Sequence, residues 1–207
     1  MNTTTELSFI HRFEPAGLPG LPPVLLLHGT GADENDLIGL GRAVAPGAAL
    51  LSPRGKVLEN GMPRFFRRLA EGRFDEADLR RRTEELADFI GAAREAYGLA
   101  APIALGFSNG ANIAAAMLLM RPEVLAGAAL IRAMPPFADP PEADLADKPV
   151  LILSGSADPL VPLPVAERVA AQLADAGAGV EHKRVPGGHG LTQIDVAQLG
   201  AWFKARG

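Results

Sequence analysis

Residues 106–110 have the sequence Gly-Phe-Ser-Asn-Gly, a Gly-x-Ser-x-Gly spacing that could turn Ser108 into a nucleophile. A serine that projects from a sharp strand-to-helix turn takes a strained backbone conformation, and neighbouring glycines leave room for the close approach of the chain. An apolar run precedes the motif at residues 102–107, and an Ala/Leu/Met-rich stretch follows at residues 111–120. These stretches predict the strand and the helix that such a turn requires.

Asp158 and His189 could supply the carboxylate and the base that a serine nucleophile needs. A serine hydroxyl is a weak nucleophile at neutral pH until a base takes its proton, and the base needs a carboxylate to orient it. Asp158 follows the apolar run at residues 150–153, and His189 follows the run at residues 180–185. The carboxyl ends of parallel strands meet at one edge of a sheet, so the sequence predicts a catalytic triad of Ser108, Asp158 and His189.

Other acids and histidines are alternatives to these two residues. Asp139, Asp144 and Asp147 could replace the acid, but none of them directly follows a predicted strand. His182 could replace the base, but it lies inside the last predicted strand. We therefore favour Asp158 and His189.

The backbone N–H groups of Thr30 and Asn109 are candidate donors to an oxyanion. Acyl transfer places negative charge on the carbonyl oxygen, which N–H donors after the nucleophile and after an earlier strand can stabilise. Residues 24–27 predict that earlier strand, and His28-Gly29-Thr30-Gly31 follows it. We assign His28 a structural role in bracing this loop.

Strand-like and helix-like patterns alternate along the chain. The longest predicted helix starts at Asp75 and ends before Gly98, and Thr192 with Asp195 fits a capping box for the last helix. This alternation predicts an α/β fold with a mostly parallel central sheet of about seven strands, flanked by helices. Residues 53–74 are predicted to form a long irregular excursion, the kind of segment that often carries function.

The composition restricts the class of protein. The 207 residues, 48% of them hydrophobic, predict a single domain over residues 1–207. The net charge of −4 argues against nucleic acid as a partner, and the lack of a membrane-length apolar run argues against a membrane. The absence of cysteine excludes a thiolate nucleophile. Nucleotide-binding and metal-binding patterns are missing, so we expect no cofactor and no metal. The first six residues lack a secretory signal, and we expect a cytoplasmic protein.

Together, these motifs resemble those of the α/β-hydrolase superfamily, specifically its small carboxylesterase and acyl-protein thioesterase branch. Residues 52–55 and 59–68 are similar to a narrower bacterial group, the hydroquinone-resistance-type carboxylesterases. The resemblance covers essentially the whole chain, and the chain order Ser, Asp, His is that of the superfamily. It implies the α/β-hydrolase fold, with Ser108, Asp158 and His189 as the triad and Thr30 and Asn109 at the oxyanion hole. In one departure, a single strand is predicted before residue 24, where the full superfamily sheet has two.

The expected substrate site rests on the excursion and on one arginine. Met62, Phe65 and Phe66 are predicted to form an apolar acyl-binding wall. Arg132 follows a strand at its carboxyl end, where it could pair with a substrate carboxylate or with a loop acid. The link at residues 132–148 is too short for a helical lid, so we predict an open site and no lid domain.

The sequence therefore predicts a serine hydrolase of carboxylesterase type that acts through an acyl-enzyme on esters with small or medium acyl groups. Its partner is a small-molecule ester substrate, and a homodimer is an open alternative to a monomer. Acyl-thioesterase, lysophospholipase-like and dienelactone-type activities are rival interpretations. A non-catalytic protein that keeps the fold to bind a small molecule is another.

Overall fold

A computed structural model describes residues 7–207; residues 1–6, on which the expected lack of a secretory signal rests, lie outside it. In the described chain, a seven-stranded central sheet follows the order His11–Glu14 (β1), Leu50–Pro53 (β3), Val24–Leu27 (β2), Ile103–Phe107 (β8), Gly127–Ile131 (β9), Pro149–Gly155 (β10) and Gly179–Val185 (β11). Only β1 is antiparallel to its neighbour in this sheet. The predicted α/β fold with a mostly parallel sheet is confirmed.

Helices cover both faces of the sheet, and each face has its own apolar core. The helices are Ile38–Val44 (α1), Glu76–Tyr97 (α2), Asn109–Met120 (α3), Leu163–Asp175 (α4) and Gln193–Lys204 (α5). Residues of α2, α3 and α4 are buried against one face, and residues of α1 and α5 against the other. Within residues 7–207, no helix combines the length and the apolar character that a bilayer crossing requires.

The ends of two helices follow from local sequence. The Asp75 side chain accepts a hydrogen bond from Asp78 N at the start of α2, and Gly98 ends that helix in the left-handed region at φ 66°. Thr192 and Asp195 form the predicted capping box of α5. The single strand predicted before residue 24 is His11–Glu14, and the first helix begins at Ile38.

The excursion at residues 53–74 is more regular than expected. It contains two hairpins, Val57–Glu59 (β4) with Met62–Arg64 (β5) and Arg68–Ala70 (β6) with Arg73–Phe74 (β7). Asn60 and Gly61 connect the first pair with φ values of 52° and 80°, the two positive angles of a type I′ turn. The irregular loop predicted here was therefore wrong, although the segment does reach the site described next.

Candidate active site

Ser108 lies on a strained turn between β8 and α3. Its φ and ψ are 51° and −111°, a conformation that residues with a side chain rarely adopt. The glycine at 110 is required because a Cβ there would lie 2.0 Å from Leu27 O, inside the neighbouring strand β2. A Cβ at Gly106 would lie 2.6 Å from the backbone oxygen of Gly110. Both glycines of the motif thus permit the close packing that exposes the serine at the carboxyl end of the sheet.

The three predicted triad residues form one hydrogen-bonded chain. His189 Nε2 lies 2.9 Å from Ser108 Oγ, and His189 Nδ1 lies 2.9 Å from Asp158 Oδ2. The other carboxylate oxygen, Asp158 Oδ1, accepts hydrogen bonds from Leu160 N at 2.8 Å and Val161 N at 3.0 Å. An ionised carboxylate only accepts, so Nδ1 carries the proton of the neutral imidazole and Nε2 is free to accept the serine hydroxyl.

The alternative acids and base lie elsewhere. Asp139, Asp144 and Asp147 are exposed on the link that precedes β10. His182 lies within β11, where its Nε2 is 2.8 Å from Ser154 Oγ. None of these four side chains takes part in the hydrogen-bonded chain at Ser108.

The loop that carries Thr30 is braced by its neighbours. Burial lowers the pKa of His28, so its imidazole is neutral; Nε2 accepts a hydrogen bond from Gly55 N at 3.0 Å, and Nδ1 donates to Gly29 O at 2.7 Å. Gly31 N donates to Pro63 O at 3.0 Å. His28 therefore has the structural role expected of it.

Two backbone donors at the serine are unused. Within residues 7–207, the N–H groups of Thr30 and Asn109 donate to no other group of the protein. Arg64 Nη1 donates to Thr30 Oγ1 at 2.6 Å, and Phe65 N donates to Asn109 Oδ1 at 2.8 Å, so both residues are held from the side of the excursion. Free N–H groups on restrained residues are what an oxyanion hole requires.

The cavity at Ser108 is small, about 40 Å³ in volume. The excursion provides part of its lining, as predicted, but through residues other than those expected: Arg64, Arg68, Glu71, Gly72 and Phe74. The cavity is also lined by Met134, Leu160 and Val161. A larger cavity of about 500 Å³ lies away from the serine between α1 and α5, and Lys204 is the one titratable side chain in its described lining.

The expected acyl-binding wall was wrong. Phe65 and Phe66 are 2% and 0% exposed and belong to the apolar core rather than to the cavity lining. Phe66 packs edge-on against Phe74, with ring centroids 5.0 Å apart, and Phe74 is the aromatic residue of the excursion that reaches the cavity. Met62 is 40% exposed beside Gly31, outside the cavity. Burying a large aromatic side chain in the core stabilises the folded protein, and this favours the core position for Phe65 and Phe66.

Arg132 belongs to the lining of the cavity, but its guanidinium is already paired with an acid of the protein. Its side chain is 0% exposed, and both Nη atoms lie 2.9 Å from the carboxylate oxygens of Asp195. A contact of Arg132 with a substrate carboxylate stays a prediction. The sequence suggested a loop acid as one of two partners for Arg132; the partner in the structure is an acid of the protein, but it lies in the first turn of α5.

Sequence reasoning missed several residues of the cavity. Leu160 and Val161 follow the acid within three residues, and their amides hold its carboxylate, so the tight Asp-Pro turn was the signal for them. Arg64 is the last residue of β5, the strand that directly follows the Asn-Gly turn. Recognition of this hairpin in the sequence would have placed Arg64 beside the loop that carries Thr30. Met134 carried no signal in the sequence, because its position depends on how the link at residues 132–148 folds back.

Comparison with known proteins shows the family of this chain. The family model of the alpha/beta hydrolase fold matches residues 22–148. MhqD of Bacillus subtilis (strain 168), which carries the name of a hydrolase, is 49% identical over 183 residues, covering 87% of this chain and 92% of that protein.

Solved structures of bacterial carboxylesterases agree with this family match over nearly the whole chain. The Bacillus cereus carboxylesterase superposes with a TM-score of 0.94 at 42% identity, covering 97% of this chain and 95% of that one. A carboxylesterase from Mesorhizobium loti has a TM-score of 0.91 at 34% identity, covering 97% of this chain and 96% of that one. The resemblance predicted from the motifs is thereby confirmed, and the chain belongs to the α/β-hydrolase family, among its small carboxylesterases.

Proposed function

We propose that the protein is a serine carboxylic ester hydrolase that works through an acyl-enzyme intermediate. The observation that carries this proposal is the chain of two 2.9 Å contacts from Ser108 Oγ through His189 to Asp158. A serine needs a base within hydrogen-bond distance, and the base needs a carboxylate that sets its tautomer; both conditions are met by residues that follow β8, β10 and β11 at their carboxyl ends.

The acylation step follows from the positions of these groups. Ser108 Oγ attacks the ester carbonyl carbon while its proton passes to His189 Nε2, and Asp158 stabilises the imidazolium that forms. The carbonyl oxygen becomes an oxyanion, to which the N–H groups of Thr30 and Asn109 donate. The tetrahedral intermediate then collapses, the bond to the alcohol oxygen breaks, and the imidazolium protonates the departing alcohol.

Deacylation repeats the same steps with water as the nucleophile. His189 takes a proton from water, the hydroxide oxygen attacks the acyl carbon, and the same two N–H groups hold the second oxyanion. Collapse releases the carboxylic acid and returns the proton to Ser108 Oγ. Within residues 7–207, no cluster of His, Asp and Glu with metal-binding geometry exists, and no step requires a metal.

The size of the cavity favours esters of short acids. A volume of about 40 Å³ corresponds to about three water molecules. An acetyl or propionyl group fits that space, whereas an octanoyl chain would extend beyond it. The charged side chains at the rim are balanced, because Arg64 and Arg68 both lie within ion-pair distance of Glu59, and Arg68 also pairs with Glu71. An uncharged short-chain ester is therefore the substrate class that this site supports best.

Hydrolysis of p-nitrophenyl acetate, butyrate and octanoate by the wild type and by Ser108→Ala tests the proposal. We expect the wild type to prefer the acetate and the variant to fall to the uncatalysed rate. Equal rates for wild type and variant would refute the role of Ser108, and a preference for octanoate would refute the short-chain assignment. An acyl-thioester of the same acid, run in parallel, separates esterase from thioesterase activity.

A further inference from the structure

We propose that Arg132 and Asp195 are positioning residues that hold the catalytic histidine in line with Ser108, a role that rests on the function proposed above. His189 lies on the loop between β11 and α5, and the residues on either side of it are glycines. Arg132 Nε donates to Gly188 O at 2.9 Å, and Arg132 Nη2 donates to Gly190 O at 3.2 Å. The guanidinium thus binds the backbone on both sides of His189.

All the donors of Arg132 are used. A guanidinium has five N–H donors in a planar fork. Besides the two glycine carbonyls, Nη1 donates to Leu153 O at 3.2 Å, and the two Nη atoms donate to Asp195 Oδ1 and Oδ2 at 2.9 Å each. Lysine carries a single nitrogen with three donors and cannot make the five contacts that the three nitrogens of Arg132 make. The geometry therefore depends on arginine and not on positive charge alone.

Asp195 connects this fork to the start of α5. Its Oδ2 accepts hydrogen bonds from Thr192 N and Thr192 Oγ1, both at 2.8 Å, within the capping box of the helix. Through Arg132, which follows β9, and Leu153, which is in β10, the histidine loop is tied to the sheet. Through Asp195 it is tied to α5.

The loop needs such an external restraint. Three of the residues at 187–190 are glycines, which have the largest conformational freedom, and Gly187 has a φ of 132° that other residues rarely adopt. The His189 side chain is 23% exposed and is held by its two triad contacts. Without the carbonyl contacts, the ring could leave the line between Asp158 and Ser108.

Burying the ion pair of Arg132 and Asp195 lowers the stability of the protein relative to an apolar pair at the same place. Arg132 and Asp195 are both 0% exposed, and burying two charges costs more than an apolar pair of similar volume. The two glycine carbonyls offer a reason for the ion pair, because an apolar replacement could not bind them. Arg132 also has a left-handed backbone conformation, with φ at 57°, which residues other than glycine rarely adopt.

The test compares Arg132→Lys, Arg132→Met and Asp195→Asn with the wild type in hydrolysis of p-nitrophenyl acetate. A misplaced catalytic group costs about 100-fold, so we expect kcat to fall by about 100-fold while KM changes by less than about threefold. In parallel, ¹H NMR follows the downfield resonance of the His189 Nδ1 proton, which reports its hydrogen bond to Asp158 without any substrate. We expect this resonance to weaken or shift in each variant. Leu173→Ala, in the core on α4, is the control for lost stability, and its kcat per folded molecule should match the wild type.

Each outcome decides the proposal. A folded Arg132→Lys with wild-type kcat overturns it, as does a loss of kcat with an unchanged His189 Nδ1 resonance. A loss in Leu173→Ala as large as that in the Arg132 variants would assign the effect to stability and overturn it too. If none of the three variants folds, the pair is a requirement of folding and the proposal is wrong. A wild type that lacks activity but shows the resonance, and loses it in the variants, refutes the esterase proposal and leaves the positioning role supported.

Discussion

Replacing Asp158 with asparagine should reverse the tautomer of the catalytic histidine. Asp158 Oδ1 accepts two backbone N–H groups, from Leu160 and Val161, at 2.8 and 3.0 Å. In the variant, the amide oxygen must occupy that position, because an NH₂ group there would face two donors. The NH₂ group is then turned toward His189 Nδ1, which lies 2.9 Å from the present Oδ2. Nδ1 must become an acceptor, the ring proton moves to Nε2, and Nε2 can no longer accept the proton of Ser108.

We expect a large loss of kcat in Asp158→Asn, because His189 can no longer act as a base even though the positions of the three side chains are kept. Reversal of the tautomer in a serine triad lowers kcat by about 10⁴-fold, which corresponds to about 5.4 kcal/mol at about 1.36 kcal/mol for each factor of ten. The assay is kcat for p-nitrophenyl acetate with Asp158→Asn, beside Asp144→Asn as an exposed control that should match the wild type. An Asp158→Asn variant within tenfold of wild-type kcat would refute the argument, and so would an equal loss in Asp144→Asn.

Two further predictions concern the cavity and two histidines, of which His28 is buried and His182 is half-buried. Met134→Ala should enlarge the cavity near Gly72 and raise kcat/KM for octanoate relative to acetate by about tenfold, measured with p-nitrophenyl esters; an unchanged ratio would show that Met134 does not limit chain length. Burial lowers the pKa of His28 and His182 from the usual 6.5, so the unfolded chain binds more protons than the folded chain as the pH falls below that value. The free energy of unfolding in urea should therefore be smaller at about pH 5.5 than at about pH 7.5, with a smaller difference in His28→Asn; a stability that does not change over this range would contradict the burial argument.

The parts of the fold that were predictable depend on short-range patterns. The strained turn at Ser108 is specified by two glycines within five residues, and Asp75, Gly98 and the Thr192–Asp195 capping box mark helix ends through contacts of three or four residues. The chain order of the catalytic groups follows from which strand each one ends. These signals need no knowledge of how distant segments pack.

The parts that were not predictable depend on packing between distant segments. Arg132 and Asp195 are 63 residues apart, and nothing near either residue indicates that they meet. The burial of Phe65 and Phe66 depends on how the excursion lies against α2 and α3, which composition does not show. The β4–β5 hairpin is a different case. Asn60-Gly61 is a sequence typical of a two-residue hairpin turn, so this hairpin was predictable although the segment was predicted to be irregular.

The central claim is that Ser108 is an activated nucleophile, and covalent labelling tests it most directly. The purified wild type and Ser108→Ala are treated with a fluorophosphonate, and intact mass and peptide mapping are recorded. The account predicts one phosphonyl adduct in the wild type, located on the peptide that contains Ser108, and none in the variant. A wild type that stays unlabelled, or an adduct that persists in Ser108→Ala, would contradict it.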